Sequence, residues 1–233
     1  MNKKHITIGA VIITVLLIVI ALVSIDARNN TPEVTTTEDN TSDAGITAIK
    51  SFMAQPDLEL EYTRTKSPTN FTVGKTEPFP DGGGGRTTVP DEWKRSVGVY
   101  RQQNIDNKCQ LYMYEVDVRN NQIVEVQPAP NVPIGTELAN EQGACQTQLK
   151  AVTDAEAKQT AEDYLKRNIN NYEKIKDQFK YTKGDRYIWL YEDRSYKAPE
   201  GLTSEPYPYP TIRIIVSREG YLIGYINTTG LYK

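Results

Sequence analysis

Histidine is almost absent from this sequence. The one copy, His5, lies at the very start of the 233 residues, so chemistry that needs an imidazole has no residue to use in the body of the chain. Cysteine occurs twice, at Cys109 and Cys145. That is too few for a disulfide-dense mini-protein, and without histidine too few for an ordinary nitrogen/sulfur zinc site. No D-x-D-x-D-G calcium loop is present, and no metal or organic cofactor is expected. An excess of one charge is missing too: 27 basic against 30 acidic residues leave a formal −3, which offers no general electrostatic reason to bind nucleic acid. The remaining composition, 38% hydrophobic and 24% charged, is that of an ordinary globular chain.

Long apolar runs are lacking everywhere except at residues 6–25, ITIGAVIITVLLIVIALVSI, which hold no charge. As a helix this run is about 30 Å long, the thickness of a bilayer's hydrocarbon core. Lys3 and Lys4 precede it, while Asp26 and Arg28 follow and cancel. The positive-inside bias then leaves residues 1–5 in the cytoplasm and the rest outside, as a single-pass protein of the cell membrane held to lipid by 6–25. The competing reading is a cleaved signal peptide, for which the run is long and the Ile25-Asp26-Ala27 site a loose match. Residues 26–42, rich in Thr, Asn and acids, read as a disordered stalk.

Beyond the stalk, residues 43–128 form a first unit. Ile46, Ile49, Phe52 and Met53 recur at helical spacing up to Pro56, then residues 58–63 alternate as a strand. Residues 66–92, with four prolines and four consecutive glycines, read as a long mobile loop. Strands follow over 97–102, 110–118 and 122–127, the last two joined at Asn120-Asn121. Residues 129–152 read as a Pro-rich linker. A second unit, 153–233, opens on the capping box Thr153-Asp-Ala-Glu156, with Ala157, Ala161, Tyr164 and Leu165 on one helix face. A further helical piece is expected over 172–179, and strands over 186–192, 211–216 and 221–226. The two units look alike: Ser42-Asp-Ala corresponds to Thr153-Asp-Ala, and 114–126 to 211–224. They either stack or join one larger sheet.

An Ala-x-x-x-Ala helix, then strands, then a terminal hairpin of the form V-x-V-D-x-x-x-G-x-V is similar to PepSY domains. Val116-Asp117 matches in the first unit, which has Asn120-Asn121 where the family tends to Thr-Gly; the second keeps Gly220 and has Ser217 in place of the Asp. The resemblance covers 151–233 and, less closely, 43–128. It implies an α+β fold, cystatin-like, with helices packed on antiparallel sheet in two tandem units outside the membrane, and a binding or inhibitory module in place of a catalyst.

Two cysteines in an extracytoplasmic domain favour a Cys109–Cys145 disulfide over a reactive thiol. Glu115, Asp117 and Arg119 share one strand face, read as solvated, opposite the core residues Tyr112, Tyr114 and Val116. Tyr187, Trp189 and Tyr191 line one face of another strand, opposite Ile188 and Leu190. If the aliphatic pair faces the core, the aromatic stripe points outward to stack on a sugar or grip a peptide; otherwise it is the buried side. Tyr207 and Tyr209 alternate with prolines, either as a polyproline-type contact or as cover for a sheet edge. The leading expectation is a non-catalytic binding or regulatory module for a protein, peptide or envelope polymer. A structural subunit of an envelope complex comes second, and a carboxylate-based hydrolase third.

Overall fold

Why the chain forms an α+β sheet follows from where its apolar residues alternate and where they recur in threes and fours. The computed structural model describes residues 37–67, 72–78, 85–88, 94–130, 135–199, 203–205 and 207–232. The expected anchor (6–25) lies outside these residues, and no helix among them is long and apolar enough to cross a membrane.

Helix α1 (Thr37–Met53) is followed by strands β1 (Leu60–Lys66), β2 (Thr72–Pro78), β3 (Gly85–Thr88), β4 (Val97–Gln102), β5 (Tyr112–Asp117) and β6 (Ile123–Pro128). Then come α2 (Glu137–Gln146), α3 (Asp154–Asn168), the one-turn α4 (Tyr172–Ile175), β7 (Lys180–Lys183), β8 (Tyr187–Glu192), β9 (Thr203–Glu205), β10 (Thr211–Val216) and β11 (Leu222–Asn227). Eight strands build one antiparallel sheet in the order β1-β4-β5-β6-β11-β10-β8-β7. The order is a mirror image about its centre. Four strands of the first half run inward to β6, and four of the second half run outward from β11 to β7. The halves meet where Val126 faces Tyr225 and Glu125 faces Ile226.

Both long helices lie on one face of this sheet. From α1 come Ile49, Phe52 and Met53; from α3 come Ala157, Ala161, Tyr164 and Leu165, all buried in one core. The start of α3 is fixed by its capping box, with the Thr153 hydroxyl accepting from Glu156 N and the Glu156 carboxylate accepting from Thr153 N. Phe52 rests 5.0 Å from the Tyr164 ring and 5.1 Å from Tyr225, so a residue of the first half is packed inside the second. Tyr112 Oη donates to Leu222 O at 2.6 Å, another bond between the halves. A smaller core of Val97, Val124, Ile226, Leu231 and Tyr232 occupies the opposite face, since neighbours Tyr225 and Ile226 point opposite ways.

Four local expectations need correction. Helix α1 begins at Thr37, so residues 37–42 of the expected stalk are helical and Ser42 is no cap; extending a helix already packed over residues 46–53 costs little per residue. The segment 66–92, expected to be irregular, carries β2 and β3, which with β9 form a second, three-stranded sheet in the order β3-β2-β9. The expected linker 129–152 contains α2, capped by the Thr136 hydroxyl accepting from Ala139 N; it buries none of its residues, so no apolar stripe announced it. The face of β5 read as solvated is buried at Glu115 (6% exposed) and Asp117 (1%). Each carries a counter-ion, Lys66 Nζ at 3.0 Å from Glu115 and the Arg119 guanidinium on Asp117, which offsets the cost of removing the charge from water.

Gly45 in α1 lies directly over the ring of buried Tyr100, where a Cβ would collide with the hydroxyl and the ring carbon that bears it. Replacing glycine by alanine in a helix normally gains about 0.5–1 kcal/mol. Here Gly45→Ala is expected to have the opposite sign and lose about 1–3 kcal/mol to overpacking. Urea unfolding of the two chains reads the sign directly, and a gain in stability would show that Tyr100 moves aside freely.

Candidate functional site

The aromatic stripe of β8 faces the helices. Tyr187 and Trp189 are each 6% exposed and belong to the main core, while Ile188 and Leu190 are half-buried on the other face. The outward-pointing alternative therefore fails for these two residues. The physical reason lies in α3, whose inward positions Ala157 and Ala161 are small, so that wide rings on the sheet fill the space beneath. Tyr191 is half-buried against Phe179, with ring centroids 5.7 Å apart.

Burial of the stripe is incomplete at the sheet's edge. Among the described residues β7 ends the sheet, and all four of its residues are exposed. Register pairs Tyr181 with Trp189. The Tyr181 ring, 47% exposed, lies 5.1 Å from that of Trp189 at an interplanar angle of 31°. Between α3, α4 and β7 this leaves a groove of about 380 Å³, its apolar walls made by Ala161, Leu165, Tyr172, Phe179, Tyr181 and Trp189. A second recess of about 260 Å³ continues past Tyr181 and Trp189 to Asp154 and Ala155 at the start of α3.

Ion pairs ring the groove. Glu162 stands between Lys158 (3.7 Å) and Lys166 (3.5 Å), and Lys176 meets Glu173 at 2.8 Å. Lys183 donates to both oxygens of Asp154 at 2.7 Å, and Tyr187 Oη donates to the same carboxylate at 3.2 Å. The hydrogen bond from Lys183 holds the Asp154 carboxyl below the usual carboxylate range, and that from Lys176 does the same for Glu173. The acids with raised pKa stand elsewhere. Asp106 is pushed up by burial although its Oδ1 accepts from Lys108 N and Gln110 N. Glu125 is pushed up by burial and then by Glu115, its neighbour across β5 and β6. Neither lines the groove.

The five aromatic candidates are not brought together. Tyr187, Trp189 and Tyr191 lie on the helix face, whereas Tyr207 packs against the small core of the opposite face, its ring 5.9 Å from the Arg213 guanidinium and its carbonyl accepting from Tyr232 Oη. Tyr209 is half-exposed in the same turn, its carbonyl accepting from Thr211 Oγ1. Sequence reasoning missed Tyr181, the most exposed ring of the groove. The signal was there in Gly184-Asp185, a turn that folds Lys180–Lys183 back along β8 and sets Tyr181 opposite Trp189. Cys109 and Cys145 form the expected disulfide with their Cα atoms 5.5 Å apart, away from the groove. Among the described residues no group of three or more His, Cys, Asp or Glu is placed to hold a metal ion.

No protein-family model matches the chain, and no curated protein matches it. Among solved structures, the Bacillus megaterium YpeB C-terminal domain is similar at 12% identity and a TM-score of 0.40, over 81% of this chain and 63% of that one. The chain thus spans less than two thirds of that structure's length.

Proposed function

We propose that this protein is a non-catalytic binding module, displayed outside the cell membrane by an N-terminal anchor at residues 6–25, that takes a protein, peptide or envelope-polymer segment in the groove beside β7. One observation carries the reading: an exposed tyrosine packed against a tryptophan at an edge of the sheet that is open among the described residues, with a groove running along it. Rings of this kind supply contact area at low entropic cost, and an unpaired edge supplies main-chain donors and acceptors. The groove's acids support binding over proton transfer, since Asp154 and Glu173 are held ionised by lysines. The PepSY-like hairpins at 114–126 and 211–224 support the same reading. The other outer strand is a poorer docking edge, because a bulge interrupts β1 between Tyr62 and Arg64.

The test uses the full chain in detergent micelles, titrated with envelope extract while amide exchange is followed along β7. Protection of the β7 amides is expected, with Tyr181→Ala weakening it about two- to tenfold at an unchanged melting temperature, because the ring is half in water. Uptake that ignores Tyr181→Ala and leaves β7 unprotected would overturn the assignment of the groove.

A further inference from the structure

We infer that the hollow between the β5–β6 turn, the α3–α4 junction and the turn after β11 is a second binding site, and that its ligand is a neutral sugar chain. It shares no lining residue with the groove beside β7 and stands or falls independently of it.

Three stretches distant in sequence meet there. Arg119, Asn120 and Gln122 come from the β5–β6 turn, Asn170 and Asn171 from the junction of α3 and α4, and Thr229 and Gly230 from the 3-10 turn that follows β11. Together they enclose about 520 Å³. Two devices fix the walls. Asn168 pairs with Ile123 of β6 as a neighbouring strand would, its amide donating to Ile123 O at 2.9 Å and its side-chain carbonyl accepting from Ile123 N at 3.0 Å. This ties the end of α3 to the hairpin. Arg119 holds both oxygens of buried Asp117 through Nε and Nη2, and Nη2 also donates to Gly230 O at 3.0 Å. Walls set in advance reduce the ordering cost of binding.

These walls offer spare hydrogen-bonding capacity without unmatched charge. Asn170 and Asn171 are exposed, and among the described residues neither side-chain amide has a partner. Gln122 Oε1 and Arg119 Nη1 are uncommitted as well. Arg119 is the one charged residue of the lining among the described residues, and Asp117 already meets its charge. The further cation beside that pair, Arg95, does not line the hollow.

A primary amide presents donors and an acceptor together, and so does a sugar hydroxyl. An anion would find no unmatched charge here. A peptide would find no strand edge, since β5 and β6 are both paired on either side, and one apolar side chain, Ile169. Neighbouring hydroxyls against neighbouring amides, with Ile169 under the apolar face of the sugar ring, are the fit that remains. Gly230 keeps the space open, because a Cβ there would come within 2.6 Å of Gln122 Oε1.

The experiment uses the full chain in micelles of a sugar-free detergent. It is titrated with chitotetraose, maltotetraose, inorganic phosphate and the neutral capped hexapeptide Thr-Val-Thr-Val-Thr-Val, by calorimetry and by NMR of the side-chain amides. At least one of the two sugars is expected to bind and to shift the Asn170, Asn171 and Gln122 signals. Added salt is expected to leave that binding unchanged, since no net charge is exchanged. Asn170→Ala and Asn171→Ala, both exposed changes, are each expected to weaken it about two- to tenfold, the worth of one hydrogen bond, at an unchanged melting temperature. Gly230→Ala is expected to weaken it by displacing Gln122. Tyr181→Ala is expected to leave it unaltered, which separates this site from the groove. Salt-sensitive binding of phosphate at these amides would make the hollow an anion site, and capture of the peptide with neither sugar bound would make it a peptide site. Either result overturns the inference, as does failure of both sugars or sugar binding that ignores all three variants of the hollow.

Discussion

Truncating Phe52 to alanine is expected to lower stability by about 3–5 kcal/mol, the usual cost of deleting a fully buried aromatic ring. The more informative expectation concerns which part of the molecule feels the loss. Phe52 comes from α1, in the first half of the chain, but its ring contacts Tyr164 of α3 and Tyr225 of β11. The Arg167 guanidinium closes the same contact from the other side, donating to Phe52 O at 2.6 Å while its carbon lies 4.8 Å from the centre of the Tyr164 ring. Emptying the site therefore removes packing from both halves at once. Chemical unfolding of Phe52→Ala, followed by amide exchange in α3 and in β5, is expected to show one transition shifted to lower denaturant with both elements exposed together. Phe52→Leu, which keeps most of the volume, is expected to lose about 1.5 kcal/mol or less. Two separate transitions, with the second half unmoved, would mean that the halves are independent bodies and that the Phe52 contact is incidental.

Removing the disulfide by the double change Cys109→Ser and Cys145→Ser is expected to cost up to about 4 kcal/mol, the loop-closure value for a separation of 36 residues. Its local consequence is larger than its global one. Helix α2 buries no residue, and beyond the covalent link it is tied down near its end by Gln146, whose amide donates to Cys109 O at 3.3 Å and to Gln110 Oε1 at 3.5 Å. A ten-residue helix without a packed face is marginal in water. In the variant, the α2 amides are expected to exchange like those of an unfolded peptide at denaturant concentrations where β5 and β10 remain protected. Equal protection of α2 with and without the sulfur link would show that contacts other than the disulfide hold it.

How much of this was legible in the sequence depends on which physical signal each element needed. Strands β4 and β10 were readable to the residue because β-branched and aromatic residues run through each of them, and α3 because its capping box marks the first turn. The second sheet was not, since proline and glycine runs around β2 and β3 dominate any local pattern and β9 has only three residues. Helix α2 escaped because periodicity reports burial and this helix has none. At the site, alternation showed that Tyr187, Trp189 and Tyr191 share a face but not which face was covered. That was decided by Ala157 and Ala161, which lie some thirty residues earlier in the chain. Glu115 and Asp117 look like solvent-facing residues in any local window, and only the counter-ions Lys66 and Arg119, with cover from distant segments, let them be buried.

The mirror-image order of the sheet also fixes a schedule for synthesis. Strand β6 ends at Pro128, while its neighbour β11 begins at Leu222, so at about 5–20 residues per second the first half waits on the order of 5–20 s for its partner. During that interval β6 is an open edge that any other nascent or misfolded strand can occupy. The residues at that edge suit the wait: Pro128 lacks an amide proton to offer, and Glu125 puts a charged side chain at the position that Ile226 later takes up opposite. The residue that stands across from buried Glu115 in the finished sheet is thus also the one that guards the unfinished sheet against premature partners.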